Sequence, residues 1–259
     1  RRLESKTRDE GYVSLGIPGR TTALMHAMMT ASTEVVSMLL EYGANIQSLD
    51  VVGIDGVMYA STCGRAENIK LWLSQYPAWK LHRGTTVNGS TALHCAVYFA
   101  QNKLSTVQFL VESGADLFVR NDGGASIVMN IASNDDSDPS VLRYFLHILK
   151  TVYSEEILVA ELNHRRQPKT LKWRGIYVAA KVLYRSKLSK NGLIESLAQD
   201  QGTTALNCAV FRGDVEIVKI LLEHGADPHV ENDLGMNAFD VCEQSGPFPS
   251  VREALQKYI

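Results

Sequence analysis

The sequence is poor in the features that mark secreted, metal-binding and membrane-spanning proteins. Its 259 residues contain only four cysteines, and no two of them form a Cys-x-x-Cys pair. Widely spaced cysteines argue against a disulfide-rich secreted scaffold and against a zinc ribbon, so we expect an intracellular protein, with the cytoplasm as the first expectation. No apolar run approaches the ~18 residues that a membrane span needs, so no span is expected.

An initiator methionine is also missing, since the chain begins Arg1-Arg2-Leu3. We therefore expect a fragment, a processed form or the ordered part of something longer. A removed targeting peptide would allow an organelle as the compartment, and a further domain outside the chain stays open as well.

The motifs of the common enzyme classes are absent too. The sequence has no phosphate-binding Gly-x-x-x-x-Gly-Lys, no His-Glu-x-x-His, no Gly-x-Ser-x-Gly and no dinucleotide fingerprint. His94 beside Cys95 is the nearest approach to a metal or nucleophile pair, but helix neighbours point about 100° apart. We therefore expect no catalysis, no cofactor and no bound metal.

What the sequence does contain is a repeated pair of motifs. Segments 22–45, 91–116 and 204–227 each begin with Thr-Ala-Leu and end with Gly-Ala followed by Asn or Asp. Leucines at helical spacing lie between the two motifs. Two weaker copies, around Ala60 and Ala132, fit the same template.

This pattern resembles the ankyrin repeat, whose period is about 33 residues. The resemblance implies an all-α solenoid of helix-turn-helix repeats with β-turn tips, in which each repeat must stack on its neighbours. We expect four repeats over 19–150, the second and fourth degenerate, and one repeat plus a C-terminal capping repeat over 202–259. Residues 1–18 are then an N-terminal extension, and 151–201 a helical insertion.

The insertion holds most of the positive charge. Of 26 Lys and Arg in the chain, nine lie within residues 165–190 with no Asp or Glu among them, so the other 17 face 28 acidic residues. The nine are Arg165, Arg166, Lys169, Lys172, Arg174, Lys181, Arg185, Lys187 and Lys190.

Two interpretations of this basic segment stay open. Its apolar residues recur every three or four positions, from Trp173 to Tyr184, which predicts an amphipathic helix. The helix either packs on the solenoid with its charges solvated or paired, or it binds an acidic partner, anionic lipid or nucleic acid. The acidic repeats and the lack of a nucleic-acid motif argue against nucleic acid.

The resemblance also implies where a protein partner binds, because ankyrin repeats use their tips and the exposed face of their first helices. Candidate residues on that face are Met29, Tyr98, Phe99, Phe211 and Arg212. Candidates at the tips are Leu49, Asp50, Arg120, Asn121, Glu231 and Asn232. The alternative is that the insertion folds back and covers them.

Three functional hypotheses follow. The first is a non-catalytic scaffold or adaptor that binds proteins through these surfaces. The second is a structural accessory subunit of a large complex, docked through residues 165–190. The third is the regulatory part of a longer protein whose other domain lies outside this chain.

Overall fold

The computed structural model describes residues 19–100, 103–134, 136–186 and 191–258, and no β-strand occurs within these ranges. The predicted extension 1–18 lies outside the described residues. The chain divides into two compact units, Arg1–Val119 and Arg120–Ile259. Each unit consists of stacked helix pairs, as the repeat pattern predicts.

The first unit contains three helix pairs. They are α1 (Ala23–Thr30) with α2 (Thr33–Glu41), α3 (Gly56–Thr62) with α4 (Ala66–Gln75), and α5 (Ala92–Phe99) with α6 (Lys103–Glu112). Helix α3 packs between α1 and α5, and α4 packs between α2 and α6. The small residues Ala27, Ala60 and Ala96 are buried, which allows the close approach that this stacking needs.

The first helix of each pair begins at a side chain that caps it. The Thr22 hydroxyl accepts a hydrogen bond from the Met25 amide at 3.3 Å, and the Asp55 carboxylate accepts one from the Met58 amide at 2.8 Å. At Thr91 the backbone amide donates to Nδ1 of His94 at 3.2 Å, so this histidine has a structural role. Such caps satisfy amides that lack a partner inside the helix.

Asn68 links the first repeat to the second. Its side-chain amide is buried and donates to the carbonyl oxygens of Met28 and Ala31 at 3.2 and 3.1 Å. Arg65 donates to the same Ala31 oxygen at 2.6 Å. These bonds satisfy carbonyls at the C-terminal end of α1 that have no partner within the helix.

The second unit contains three further pairs and the insertion. The pairs are α7 (Ile127–Ala132) with α8 (Pro139–Ile148), α12 (Ala205–Arg212) with α13 (Val215–Glu223), and α14 (Ala238–Ser245) with α15 (Pro249–Gln256). Helix α7 packs directly on α12, and α8 packs on α13. The stack is therefore continuous in space across the long interruption in sequence.

The interruption is helical. A π-helical turn (Leu149–Tyr153) continues α8 and is followed by α9 (Glu155–Leu162), α10 (Leu171–Arg185) and α11 (Gly192–Asp200). Helices α10 and α11 pack on each other. The Tyr177 hydroxyl donates to the Gly123 carbonyl at 3.1 Å, which attaches α10 to the tip that precedes α7.

The extended stretch before α10 joins two repeat tips. The Arg166 amide donates to the Thr203 carbonyl, and the Lys169 amide donates to the Asp122 carbonyl, both at 2.9 Å. Gly124 has φ of +85°, and a Cβ there would lie 2.0 Å from the Gln167 carbonyl oxygen, so only glycine fits. Within the described ranges, no helix has both the length and the apolar character needed to cross a membrane.

Replacing Asn68 tests the link between the first two repeats. We expect Asn68→Ala to lower the free energy of unfolding by about 2 kcal/mol, because the Met28 carbonyl loses its side-chain donor and the Ala31 carbonyl keeps only Arg65. Urea unfolding followed by circular dichroism measures this change. The matched control is Lys70→Ala, an exposed position on the same helix, which should change the free energy by less than about 0.5 kcal/mol. Equal effects of the two substitutions would contradict this role for Asn68.

Candidate protein-interaction surfaces

The repeat tips use three of the predicted contact residues to hold their own backbone. Asp50, Asn121 and Asn232 are equivalent: in each, a side-chain oxygen accepts from the amide four residues later, at 2.8, 2.9 and 3.1 Å. Asp50 also accepts from the Tyr59 hydroxyl at 2.8 Å. Since Asp50 and Asn232 are buried, their polar groups belong to the turns, and we do not retain them as partner contacts.

The other predicted tip residues differ in how much of each side chain is exposed to a partner. Arg120 forms an ion pair with Glu161 of α9, and only 17% of its side chain is exposed. Leu49 is half-buried, whereas Glu231 is exposed. The tips therefore offer fewer free side chains than the sequence suggested.

The ends of α1, α3 and α5 lie side by side in the first unit and form a first-helix row, made of Met29, Thr62, Tyr98 and Phe99. Met29 and Thr62 are half-buried. Tyr98 is 40% exposed and Phe99 61% exposed, with their ring centroids 5.1 Å apart. An exposed aromatic pair beside a methionine offers apolar area that a partner can bury.

The second unit has its own exposed pair at the end of α12. Phe211 is 44% exposed and Arg212 is exposed. The helix ends at Gly213, whose φ is +72°, and a Cβ there would lie 2.5 Å from the Phe248 ring. Phe248 therefore packs against the end of α12, next to the two predicted contact residues.

Four of the predicted basic residues serve the fold itself. Arg165 and Lys181 both reach Asp233, at 2.9 and 3.0 Å. Arg166 pairs with Asp200 at 2.7 Å, and the Lys169 ammonium donates to the Arg120 carbonyl at 3.0 Å. The contacts of Arg165, Lys181 and Lys169 attach the insertion to repeat tips of the second unit, whereas Arg166 and Asp200 both lie within the insertion.

The remaining basic residues behave differently. Lys172, Arg174 and Arg185 are exposed on α10. Lys187 and Lys190 lie outside the described residues. The cations of the basic segment therefore fall into two groups. One group holds the insertion in place, and the other faces solvent.

The pair of Arg166 and Asp200 lies in a buried polar cluster with Tyr177 and Cys208. Burial raises the pKa of the Asp200 carboxyl, and the Arg166 guanidinium opposes that rise. Burial also raises the pKa of the Tyr177 hydroxyl to about 12 and that of the Cys208 thiol to about 11. Both groups are therefore protonated at neutral pH.

A charged pair between buried Asp55 and half-buried Arg83 lies in the first unit. The Asp55 carboxylate that caps α3 pairs with Arg83 at 3.2 Å, and the Arg83 guanidinium lies 5.6 Å from the Trp79 ring centroid. Burial raises the pKa of Asp55, against the lowering by its hydrogen bonds and by Arg83. The sequence analysis did not single out this pair, because Asp55 and Arg83 are far apart in the chain.

The cysteines and histidines form no site together. All four cysteines are free, and burial raises the pKa of the Cys95 thiol to about 12. Within the described ranges, no three His, Cys, Asp or Glu side chains are grouped so as to hold a metal ion. The structure thus gives His94 and Cys95 positions in the repeat core.

One surface escaped the sequence analysis, which followed only the apolar stripe that the fold buries. Helix α10 has a second apolar stripe on the opposite side, where Leu171, Val178 and Val182 are exposed. Their spacing of seven and then four residues could have revealed it, since such positions share one side of a helix.

Comparison with known proteins identifies the repeats. A family model described as the ankyrin repeat matches residues 20–51, 88–122 and 201–233. Each match contains the first helix of a pair. The two weaker copies around Ala60 and Ala132 are not matched, although the structure forms a helix pair at each.

Similar proteins share the fold at low sequence identity. The chain is 25% identical over 211 residues to the nuclear factor NF-kappa-B p105 subunit of Gallus gallus, covering 82% of this chain but only 17% of that protein. It superposes on the ankyrin repeat domain of Bcl-3, a member of the IkappaB protein family, with a TM-score of 0.61 and 22% identity over 91% of this chain and 82% of that one.

A further similar structure belongs to the Bd0816 predatory endopeptidase of Bdellovibrio bacteriovorus in complex with the immunity protein Bd3460. The TM-score is 0.59 at 20% identity, over 92% of this chain and 99% of that one. At such identities the structural likeness establishes the fold and nothing more.

Removing the Tyr177 hydroxyl tests how the insertion is attached. We expect Tyr177→Phe to lower the free energy of unfolding by about 1 kcal/mol at neutral pH, because the Gly123 carbonyl loses its donor. The folded state holds the phenol proton more tightly than the unfolded state. The contribution of the protonated Tyr177 hydroxyl to stability is therefore complete below its unfolded pKa of 10.0. It is lost as the pH rises towards the folded pKa of about 12.

The free energy of unfolding of wild type should therefore approach that of Tyr177→Phe between about pH 10 and pH 12. Urea unfolding over a pH series measures both free energies. Tyr42→Phe is the matched control, because Tyr42 is 74% exposed and should show no such difference. A constant gap across this pH range would contradict the expected linkage.

Proposed function

Because this chain is an ankyrin-repeat protein, we propose that it holds a protein partner through its repeats and catalyses no reaction of its own. The observation that carries this proposal is the exposed aromatic pair of the first-helix row. Ankyrin repeats are in general protein-protein interaction modules, and the row lies where such modules commonly bind. The scaffold or adaptor role predicted from the sequence is retained as our proposal.

The first-helix row has the chemistry of a binding hot spot. Aromatic side chains bury much apolar area with few rotatable bonds, so they contribute strongly when a partner excludes water from them. Phe99 keeps 61% of its side chain exposed on a helix that is otherwise mostly buried. Nothing in the stability of α5 requires a phenylalanine at that exposed position.

The buried ionisable groups support a non-catalytic role, because the fold uses them internally. Asp50 holds a tip, Asp55 caps a helix, and Asp200 pairs with Arg166. A catalytic acid, base or nucleophile needs a perturbed group that faces a cleft where substrate can reach it. The perturbed groups described above instead lie in the repeat core or, for Tyr177 and Asp200, in the insertion.

The relatives agree with a binding role. The similar structure from the complex of Bd0816 with Bd3460 comes from an assembly of two different proteins. The free cysteines fit a reducing, intracellular compartment, with the cytoplasm as the first expectation. Since the chain spans only 17% of the length of the NF-kappa-B p105 relative, a regulatory part of a longer protein stays a further proposal.

A second candidate function, a structural subunit of a large complex, is favoured by a different observation. The cations Lys172, Arg174 and Arg185 of the basic segment face solvent together with an apolar stripe. A permanent subunit would bury such a surface in a large interface, whereas an adaptor's contact is smaller and exchangeable.

Phe99→Ser tests the proposed site. We expect the tagged variant, purified from its own cells, to recover at least about tenfold less of the partners that wild type retains, because a hot-spot side chain contributes about 2 kcal/mol or more. Quantitative mass spectrometry of the co-purified proteins measures the loss. Washing at low and high salt separates an exchangeable contact from a permanent apolar one.

The matched control is Tyr42→Ser, an exposed aromatic in the first unit outside the first-helix row. Its partners should equal those of wild type. If both variants recover the same proteins, the row is not the binding site. If wild type recovers nothing beyond the tag alone, the protein-binding proposal itself fails.

A further inference from the structure

Helix α10 carries an apolar stripe that nothing in the described structure covers. Its inner side packs against the second unit through Tyr177 and Ala180, both buried. On the other side, Leu171, Val178 and Val182 are 83%, 58% and 59% exposed. Three large apolar side chains on one exposed stripe cost free energy in water, so the stripe points to a binding surface.

Positive charge borders this stripe. Lys172, Arg174 and Arg185 are exposed, and among the described residues none of the three has an ion pair or hydrogen bond through its side chain. No Asp or Glu occurs between residues 165 and 190. The α10 outer face is the surface made of Leu171, Lys172, Arg174, Val178, Val182 and Arg185.

The geometry of the α10 outer face is that of a straight ridge. Leu171 and Val182 are eleven positions apart, which is just over three full turns and about 16 Å along the axis. Arg174 and Arg185 are also eleven positions apart, so both flank the same edge of the stripe. Gly175 lies within the stripe, and the space beyond its Cα is open, which allows another backbone to approach closely.

We propose that the α10 outer face binds an acidic amphipathic helix of another protein. The apolar stripe of α10 packs against the apolar side of that helix, and Arg174 and Arg185 pair with carboxylates about three turns apart on it. The proposal rests on the proposed protein-binding function and assigns it a second surface with a stated partner chemistry.

Two observations favour a protein helix over a lipid surface, and a third argues against a second copy of this chain. The exposed stripe contains no aromatic residue and has two valines and a glycine beside one leucine, whereas helices that enter a lipid surface commonly place Trp and Phe there as well as Leu. Trp173 and Tyr177 of α10 instead pack near Gly123. The same face of a second copy is disfavoured, because it would bring cations against cations.

The probe is a fluorescein-labelled synthetic peptide of 18 residues, helical, with leucine and alanine on one side and glutamate on both flanks. We expect it to bind the full chain in fluorescence anisotropy. Arg174→Glu combined with Arg185→Glu should weaken binding by about tenfold or more, because attraction becomes repulsion at two points. Val178→Asp should cause a comparable loss through the apolar stripe.

The matched control combines Lys70→Glu with Lys219→Glu, two exposed lysines outside α10, which changes the net charge by the same amount. It should retain binding within about twofold. Circular dichroism and thermal melting establish that all variants stay folded. A peptide with glutamine in place of glutamate should bind weakly.

Three results would overturn the proposal. They are no binding of the peptide to wild type, an equal loss in the control variant, and preferential binding of wild type to phosphatidylserine vesicles over the peptide. Failure here leaves the function proposed for the first-helix row intact, because Phe99 lies in the other unit. Conversely, peptide binding that persists in Phe99→Ser would separate the two surfaces.

Discussion

The structure depends on one constraint, which is that a single helix pair cannot bury its own apolar side. Within each unit a pair must therefore stack on a neighbouring pair, and the buried alanines at 27, 60, 96, 132 and 209 keep the helices close enough to do so. Caps such as Thr22 and Asp55 then matter because many short helices expose many unpaired amides. The same constraint explains why α7 packs directly on α12 although some 70 residues of sequence separate them.

Electrostatics decides how the insertion is accommodated. The stacked repeats of the second unit offer acidic groups and open carbonyls near their tips, and the basic segment meets them through Arg165, Lys181 and Lys169. The pair of Arg166 and Asp200 is only partly buried, with 13% and 30% of the two side chains exposed, so the loss of water offsets part of its attraction. The stretch before α10 is held between two tips by its backbone, since the Arg166 amide donates to the Thr203 carbonyl and the Lys169 amide to the Asp122 carbonyl.

The residues that hold the fold together differ from those that remain exposed for a partner. Partner contacts were expected at the tips. The side-chain oxygens of Asp50, Asn121 and Asn232, however, accept hydrogen bonds from backbone amides of their own turns. What is left free is apolar area at the helix ends, such as Phe99, and the solvent side of α10. The partner contacts that we propose therefore use surfaces that folding does not already occupy.

Sequence by itself determined the repeat architecture, because local rules apply at fixed spacing: a capping residue, apolar positions at helical period, and a glycine with positive φ after the second helix, as at Gly43 and Gly225. The sequence also revealed that the basic segment is positively charged and helical, through its excess of Lys and Arg and the helical spacing of its apolar residues. Only the tertiary structure decided which of its cations form ion pairs or hydrogen bonds within the fold and which face solvent. That choice depends on residues distant in the chain, since Asp233 lies about 50 positions from Lys181 and no local pattern relates the two.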